Sequence, residues 1–306
     1  MLFILAIYFL YNKLSENKEQ FISALSCVKT SSFILGLLFI FLLQFLNWFV
    51  EAKKFNQFLD SKINITFLTC VKAVYVGNFT SFFTPNRIGT FIGRILVLKQ
   101  DKLLVTAITG LGNLAQLITT LFFMIVALFL YFIKDSNFII FNNNYIYIIQ
   151  FTYFLLLLIV VLIYIKPSIA IKRFSKINFI KKYANRLLIL DDISFINKIK
   201  VLIFSIIRYL IFALQYYILF IAFNINISIT ELFIFLGLLY GVVTFIPSPF
   251  LGNLGTREAI ALLFSSISGL GVIVPLISLL VWFINVGISS LIGGIIFSFS
   301  LKTPKC

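Results

Sequence analysis

The sequence predicts an all-α polytopic membrane protein with about six to eight membrane helices and two broken, re-entrant hairpins in a pseudo-inverted arrangement. Of its 306 residues, 61% are hydrophobic and only 11% are charged, whereas soluble domains are nearer one-half apolar and one-quarter charged. The apolar stretches run unbroken, without the alternation at period two that membrane strands need. Two of them are interrupted by proline, glycine and arginine, and paired interruptions of this kind are typical of broken membrane helices.

Six apolar runs qualify as membrane helices, which need about 20 mostly apolar residues. They are residues 33–50, 103–133, 145–165, 201–223, 232–246 and 272–301. No polar segment is long enough for a soluble domain, so residues 1–306 are predicted to form one integral membrane domain. Residues 1–10 are apolar but too short to cross alone, and we interpret them as part of a truncated first span or an interfacial segment.

The formal net charge of +15 is carried by short segments between the apolar runs. Basic residues cluster at 53–62, 94–102, 166–200 and 302–305, whereas 134–144 and 224–231 contain almost none. The positive-inside rule therefore places segment 166–200 and the C-terminus in the cytoplasm. This distribution favours anionic lipid surfaces as partners, and no nucleic-acid motif accompanies it.

The basic segment 166–200 also contains interspersed apolar residues. This composition predicts either an amphipathic helix resting on anionic headgroups or a solvated linker, and the sequence leaves both interpretations open.

The first interruption follows the short apolar piece 67–83, and the second precedes another at 259–264. The first contains Pro85, Asn86, Arg87, Gly89, Gly93 and Arg94, and the second contains Pro247, Gly252, Gly255, Arg257 and Glu258. In hydrocarbon, non-helical backbone and charge persist only where protein or a water-filled cavity receives them. We therefore assign both pieces to re-entrant hairpins, formed at these prolines and glycines, with the binding site between them. The spacing of Gly89 and Gly93 is also that of a common helix-packing motif.

The arginines of the interruptions are the predicted binding groups. Guanidinium presents a planar fork of donors that matches phosphate and stays charged when buried. We expect Arg87, Arg94 and Arg257 to hold the headgroup of an anionic phospholipid or a polyprenyl phosphate. For Arg94, an interfacial anchor that snorkels beside Lys99 is an equally good interpretation.

The single acidic residue of the interruptions, Glu258, is interpreted as a structural counter-ion, with proton carrier as the alternative. Adjacent residues do not face each other on a helix. We therefore expect Glu258 to pair with an arginine other than its neighbour, such as Arg87 or Arg94.

Polar residues inside the other spans have two possible roles. Asn113 and Gln116 are expected either to form interhelical hydrogen bonds or to line the cavity with the arginines. Arg208 lies deep in its span and is predicted to snorkel or to face the cavity. Trp48 is interpreted as an anchor at the membrane interface.

Residue types needed for catalysis are scarce. The chain has no histidine and only 10 acidic residues, and it contains no nucleophile elbow, phosphate-binding loop or metal-ligand cluster. We predict no enzymatic activity, no cofactor and no metal.

The chain resembles the flippase-like transmembrane region of lysylphosphatidylglycerol synthases, a family of bacterial integral membrane proteins. The similar stretches are 85–94, 112–116, 208–216 and 252–258. The resemblance implies lipid translocation or lipid handling in the bacterial cytoplasmic membrane. It does not imply lipid synthesis, because these 306 residues include no aminoacyl-transfer domain. Thr90 stands where the family commonly has glutamate, so a carboxylate role there is lost or passes to Glu258.

Three hypotheses follow. The first is a flippase-like protein that binds a phospholipid or polyprenyl-phosphate headgroup between the hairpins. The second is a secondary transporter of a soluble anion, and the third is a non-transporting partner of an envelope-glycan or lipid-modifying system. The sequence predicts nothing about the oligomeric state.

Overall fold

A computed structural model of the chain describes residues 30–60, 62–63, 65–133, 143–176, 178–247, 253–268, 270–271 and 273–302, with residues 12, 15, 19 and 22 as isolated positions. Most of these residues are helical and none of them lies in a strand, so the all-α prediction is confirmed. The predictions for residues 1–10, Gly252 and residues 303–306 fall outside the described part.

Twelve α-helices occupy the described residues. They are α1 Ser31–Leu59, α2 Phe67–Phe82, α3 Gly89–Leu98, α4 Lys102–Ile133, α5 Asn143–Ile165, α6 Pro167–Phe174, α7 Asn178–Leu187, α8 Phe195–Ala222, α9 Ile229–Val243, α10 Thr256–Ser268, α11 Val274–Trp282 and α12 Ser289–Lys302. Turns of 3₁₀ helix lie at Pro85–Arg87 and Leu188–Leu190, and a π-helical segment, Phe283–Ile288, joins α11 to α12.

Five stretches of the described chain are long and apolar enough to cross a membrane. They are Ser31–Leu59, Lys102–Ile133, Tyr147–Ile165, Phe195–Ala222 and Val274–Phe299, and they match five of the six predicted spans. The sixth, 232–246, corresponds to α9, which has only 15 residues. Helix α9 begins at a capping box formed by Ser228 and Glu231, and it ends before Pro247, because a proline disfavours helix at the residue that precedes it.

The first interruption joins α2 and α3 in a tight antiparallel hairpin. The Thr80 hydroxyl donates to the Gly89 carbonyl at 2.6 Å, and the Gly89 N–H donates to the Thr84 hydroxyl at 2.7 Å. At the turn, Asn86 and Arg87 have φ values of 49° and 59°. Asparagine tolerates this left-handed region, but for arginine it is uncommon, and such strain persists only where the surrounding structure fixes it.

The two helices of this hairpin approach closely at Gly93. A Cβ built there would lie 2.6 Å from the Gly77 Cα and 2.6 Å from the Val76 carbonyl oxygen, and it would also clash with the Thr80 hydroxyl. The neighbouring backbone cannot move aside without opening the hairpin. The GxxxG spacing of Gly89 and Gly93 is therefore used for helix packing.

Substituting Gly93→Ala is expected to destabilise the protein by about 1–3 kcal/mol or more, the range for overpacking a filled site. The matched control is Gly110→Ala in α4, where a Cβ meets no atom within 4 Å and helix propensity favours alanine by about 1 kcal/mol. Thermal unfolding of the purified variants in detergent tests both. A Gly93→Ala protein as stable as Gly110→Ala would contradict the packing argument.

The helices pack around two clusters of buried apolar residues. One cluster joins α8, α9 and α11 and includes Phe220, Phe235 and Ile277. The other joins α1, α2 and α4 and includes Phe58 and Ile108. The second interruption links α9 to α10, and α10 packs on both α9 and α11. Members of both clusters line the cavity described below.

Segment 166–200 forms α6, α7 and a 3₁₀ turn, and it docks against the ends of α1 and α4. Arg186 pairs with Asp101 at 2.5 Å, and Lys62 pairs with Asp192 at 3.5 Å. The basic segments 53–62, 94–102 and 166–200 therefore meet at one end of the protein. This arrangement fits the predicted alternation of the spans, while the cytoplasmic orientation of that end stays a prediction.

Candidate anion-binding cavity

The two interruptions and helices α1, α4 and α8 enclose a polar cavity of about 380 Å³. Its polar lining residues are Glu51, Lys54, Asn78, Asn86, Arg87, Thr90, Arg94, Asn113, Gln116, Thr120, Arg208, Tyr209, Tyr240, Thr244, Asn253, Arg257 and Asn285. The predicted residues Asn86, Arg87, Arg94, Asn113, Gln116 and Arg257 are all among them, and Glu258 lies behind Arg257. The structure thus brings residues from both interruptions to one cavity, and their role in binding stays a prediction.

The carboxylate of Glu51 is the centre of the charge network in this cavity. Lys54 Nζ lies 2.7 Å from one carboxylate oxygen, which also accepts from Arg208, and Arg94 donates to the other oxygen at 2.6 Å. Glu51 is 3% exposed. A single buried carboxylate therefore stabilises three cations, and both of its oxygens are occupied.

The burial of Arg94 contradicts its interpretation as an interfacial anchor, while its role in binding stays a prediction. It is 3% exposed, and its guanidinium lies 4.4 Å from the centre of the Phe55 ring while it binds Glu51. It does not snorkel to the interface, because the Glu51 carboxylate inside the protein supplies the compensating charge that water would otherwise provide.

Helix α8 contributes Arg208 to the cavity. Of the two orientations predicted for this arginine, snorkelling or facing the cavity, the structure shows the second. Its Nε donates to the Asn47 side chain at 2.9 Å, and its guanidinium lies over the Trp48 ring. Trp48 in turn donates to the Asn285 carbonyl at 2.9 Å and is 4% exposed. The interpretation of Trp48 as an interface anchor is therefore wrong, because its indole is held by a buried hydrogen bond.

Glu51 and Lys54 are the functional candidates that sequence reasoning missed. The charges near residue 50 indicated the end of the first span, but α1 continues through them to Leu59. A periodic signal was present, because Gln44, Asn47, Glu51 and Lys54 recur at spacings of three and four and share one helix face. All four are at most 3% exposed, so this polar face is turned into the protein.

Glu258 pairs with its neighbour Arg257, contrary to the expectation of a more distant arginine. Arg257 donates from Nη2 to Glu258 at 3.0 Å and from Nε to the Ser278 hydroxyl at 3.1 Å. The pair lies in the first turn of α10, where Glu258 accepts from the Gly255 N–H at 2.6 Å, as the third residue of a capping box does. Because Glu258 folds back onto the helix start, the long Arg257 side chain reaches it.

Gly255 has a φ of 83°, a backbone conformation that side chains other than glycine rarely adopt. It thus provides the turn that begins α10. Pro247 lies just beyond α9, and Gly252 falls outside the described residues.

Arg87 is the least constrained arginine of the cavity. Its side chain makes one long contact, to the Asn78 side-chain oxygen at 3.5 Å, and the residue is exposed to the cavity space. No carboxylate among the described residues pairs with it in a salt bridge.

Four buried donors of the cavity residues have no hydrogen-bond partner within the described chain. They are Asn78 Nδ2, Arg94 Nε and the hydroxyls of Tyr209 and Tyr240. Leaving such a donor unpaired costs about 1–3 kcal/mol. The cavity therefore combines surplus cations with buried donors that no described side chain satisfies.

A sequence profile of the lysylphosphatidylglycerol synthase TM region matches residues 1–294 of the chain. The chain belongs to this family. No curated protein and no solved structure matches it significantly. The five apolar spans agree with the membership, and the protein is a multi-pass membrane protein.

In this member of the lysylphosphatidylglycerol synthase TM-region family, Thr90 is buried and lines the cavity. The position at which the resemblance implies glutamate therefore faces the candidate site. Among the described residues, Glu51 of α1 is the carboxylate that lines this cavity. In this chain the carboxylate that lines the cavity belongs to α1, whereas Thr90 belongs to α3.

Proposed function

We propose that the protein binds the phosphate headgroup of a membrane lipid in this cavity and translocates or otherwise handles that lipid in the cytoplasmic membrane of a bacterium. One observation carries the proposal. Five cations, Lys54, Arg87, Arg94, Arg208 and Arg257, line the cavity, and the described carboxylates Glu51 and Glu258 pair with only four of them. Burying unbalanced charge is expensive, so an anionic ligand is the expected complement.

The depth of the site supports a ligand that comes from the bilayer. Helix α8 has 28 residues, which corresponds to a length of about 42 Å, and Arg208 lies near its midpoint. An arginine at that depth in a span is expected to serve a substrate pathway.

An apolar groove beside the cavity favours a lipid over a soluble anion. The groove has a volume of about 550 Å³ and is lined mainly by aromatic and aliphatic side chains of α2, the π segment and α12. Asn78 lines the cavity and the next residue, Phe79, lines the groove. Phe83 and Leu291 in the groove are 62% and 66% exposed. A headgroup in the cavity is thus compatible with a hydrocarbon tail in the groove.

In this proposal the broken helices dip into the bilayer from the end that carries segment 166–200, which faces the cytoplasm. Arg87, Arg94 and Arg257 contact the phosphate oxygens, and Asn113 and Gln116 contact polar groups of the head. The residues supply binding and orientation and do not form or break covalent bonds, so the protein is not an enzyme and needs no cofactor.

Reconstitution into liposomes tests the proposal. We expect the purified chain to move labelled phosphatidylglycerol or polyprenyl phosphate between leaflets, and Arg87→Gln to lower the rate at least about tenfold, since charge-assisted hydrogen bonds contribute about 1.5–3 kcal/mol. Arg87 has no described ion pair, so the fold should persist. Arg173→Gln in the exposed part of α6 is the matched control and should transport normally.

Two outcomes would contradict the proposal. Uptake of a soluble anion without any lipid movement would favour the secondary transporter. A protein that moves neither, and whose Arg87→Gln variant retains its cellular phenotype, would favour a non-transporting partner of an envelope or lipid-modifying system.

A further inference from the structure

We infer that the lipid headgroup carries more than one negative charge, as in a phosphomonoester or diphosphate lipid, and is not a phosphodiester phospholipid. This inference rests on the proposed function, because it identifies the ligand class of the same cavity.

The cluster around Glu51 has a surplus of two positive charges. Lys54, Arg94 and Arg208 all bind this one carboxylate. This carboxylate supplies one negative charge to three cations, and both of its oxygens already accept from them. Any further negative charge here must come from outside the described side chains.

The remaining two arginines differ in their compensation. Arg257 is balanced by Glu258 at 3.0 Å, so this pair adds no net charge. Arg87 has only the amide oxygen of Asn78 at 3.5 Å and adds one positive charge. The described cavity therefore has five cations and two carboxylates, a surplus of three.

A phosphodiester supplies a single negative charge and would leave two of these cations uncompensated. A phosphomonoester carries about −1.5 to −2 at pH 7 and has three strong acceptor oxygens. The unpaired donors of the described cavity residues, Asn78 Nδ2, Arg94 Nε and the hydroxyls of Tyr209 and Tyr240, require that larger number of acceptors. A diphosphate adds further charge and further oxygens.

The same balance argues against a cationic lipid in this cavity. Lysylated phosphatidylglycerol carries two ammonium groups and one phosphate, so its headgroup is positively charged overall. Bringing it into a cavity that already has three surplus cations adds like-charge repulsion in a region of low dielectric constant. This chain is therefore expected to select against the lipid after which its family is named.

A matched pair of lipids tests the inference. The full chain is placed in nanodiscs of phosphatidylcholine at pH 7.5 and titrated with a polyprenyl phosphate and with the methyl ester of the same polyprenyl phosphate, which is a diester with the same tail. Binding is followed by the fluorescence of Trp48, which lines the cavity, and Trp282, which lines the groove. We expect the monoester to bind at least about tenfold more tightly, and the diphosphate at least as tightly as the monoester.

The variant Arg87→Gln should reduce this preference for the monoester severalfold, because it lowers the surplus from three to two. Arg173→Gln removes an arginine outside the cavity and should leave the preference unchanged. Both variants keep the Glu51 network intact.

The outcomes separate this inference from the proposed function. Equal or tighter binding of the diester overturns the charge inference while lipid binding stands. Failure of every lipid to bind overturns both. Inorganic phosphate that binds as tightly as the polyprenyl phosphate would overturn the lipid source of the anion, since the tail would then contribute nothing.

Discussion

Replacing Glu51 with glutamine is expected to lower the free energy of unfolding by about 3–5 kcal/mol, the range for removing one partner of a buried ion pair. Lys54, Arg94 and Arg208 all bind this carboxylate and are 2%, 3% and 8% exposed. Without it, three cations stay buried and repel one another. The measurement is thermal or denaturant unfolding of the purified protein in detergent.

The matched control for this change is Asp192→Asn. Asp192 also accepts a salt bridge, from Lys62 at 3.5 Å, but its side chain is 68% exposed. Exposed pairs contribute about 0–1 kcal/mol, so we expect little change in stability. If Glu51→Gln were no more destabilising than Asp192→Asn, the network around Glu51 would not be the structural centre of the cavity.

Adding the anionic ligand should partly restore the Glu51→Gln protein. A bound phosphate contributes negative charge to the same cations, and a ligand that binds only the folded state raises its stability. We therefore expect polyprenyl phosphate to raise the unfolding temperature of Glu51→Gln more than that of the unchanged protein. An equal increase in both would indicate that the ligand does not reach Lys54, Arg94 or Arg208.

Replacing Glu258 with glutamine is expected to have an effect of similar size, about 3–5 kcal/mol. It leaves Arg257, which is 7% exposed, with the Ser278 hydroxyl as its other described partner. It also removes the carboxylate that accepts from the Gly255 N–H and so caps α10. The double variant Arg257→Met, Glu258→Met should recover much of the lost stability, because apolar replacement of a buried ion pair is often nearly neutral.

The same variant distinguishes the two interpretations of Glu258. If Glu258 is a structural counter-ion, the Glu258→Gln variant loses stability, and any residual transport still responds to a proton gradient. If Glu258 is a proton carrier, the variant keeps nearly its full stability, and its transport no longer responds to a proton gradient. The double variant should fold and yet bind polyprenyl phosphate more weakly than the unchanged protein, because it lacks Arg257.

The agreement between sequence and structure is best where the physics is local. The existence of the five long spans was predicted, since 20 or so apolar residues are needed to cross hydrocarbon wherever they occur in a chain. The end of the first was placed too early, because its helix continues to Leu59. Arg208 was recognised as unusual because a charged side chain deep in an apolar span requires a partner or a cavity. The predicted cavity residues Arg87, Arg94 and Arg257 meet in space because charge in hydrocarbon must face a protein interior or a cavity.

The errors arose where a side chain's partner lies on another helix. Trp48 has the sequence position of an interface anchor, but its donor bonds to Asn285, 237 residues away in sequence. Glu51 and Lys54 resemble the charged edge of a span until Arg94 and Arg208 are placed beside them. Periodicity shows that these residues share a helix face, and it does not show what that face contacts.

The sequence by itself determined the helical membrane class, the positions of the spans and the two interruptions, because transfer of apolar groups out of water and the breaking of helices by proline depend on residue type and order. Only the tertiary structure decided which cations share a carboxylate, which remain uncompensated and which donors are left unpaired. Those properties depend on distances between helices that are remote in sequence, and electrostatic energy in a medium of low dielectric constant changes steeply with such distances.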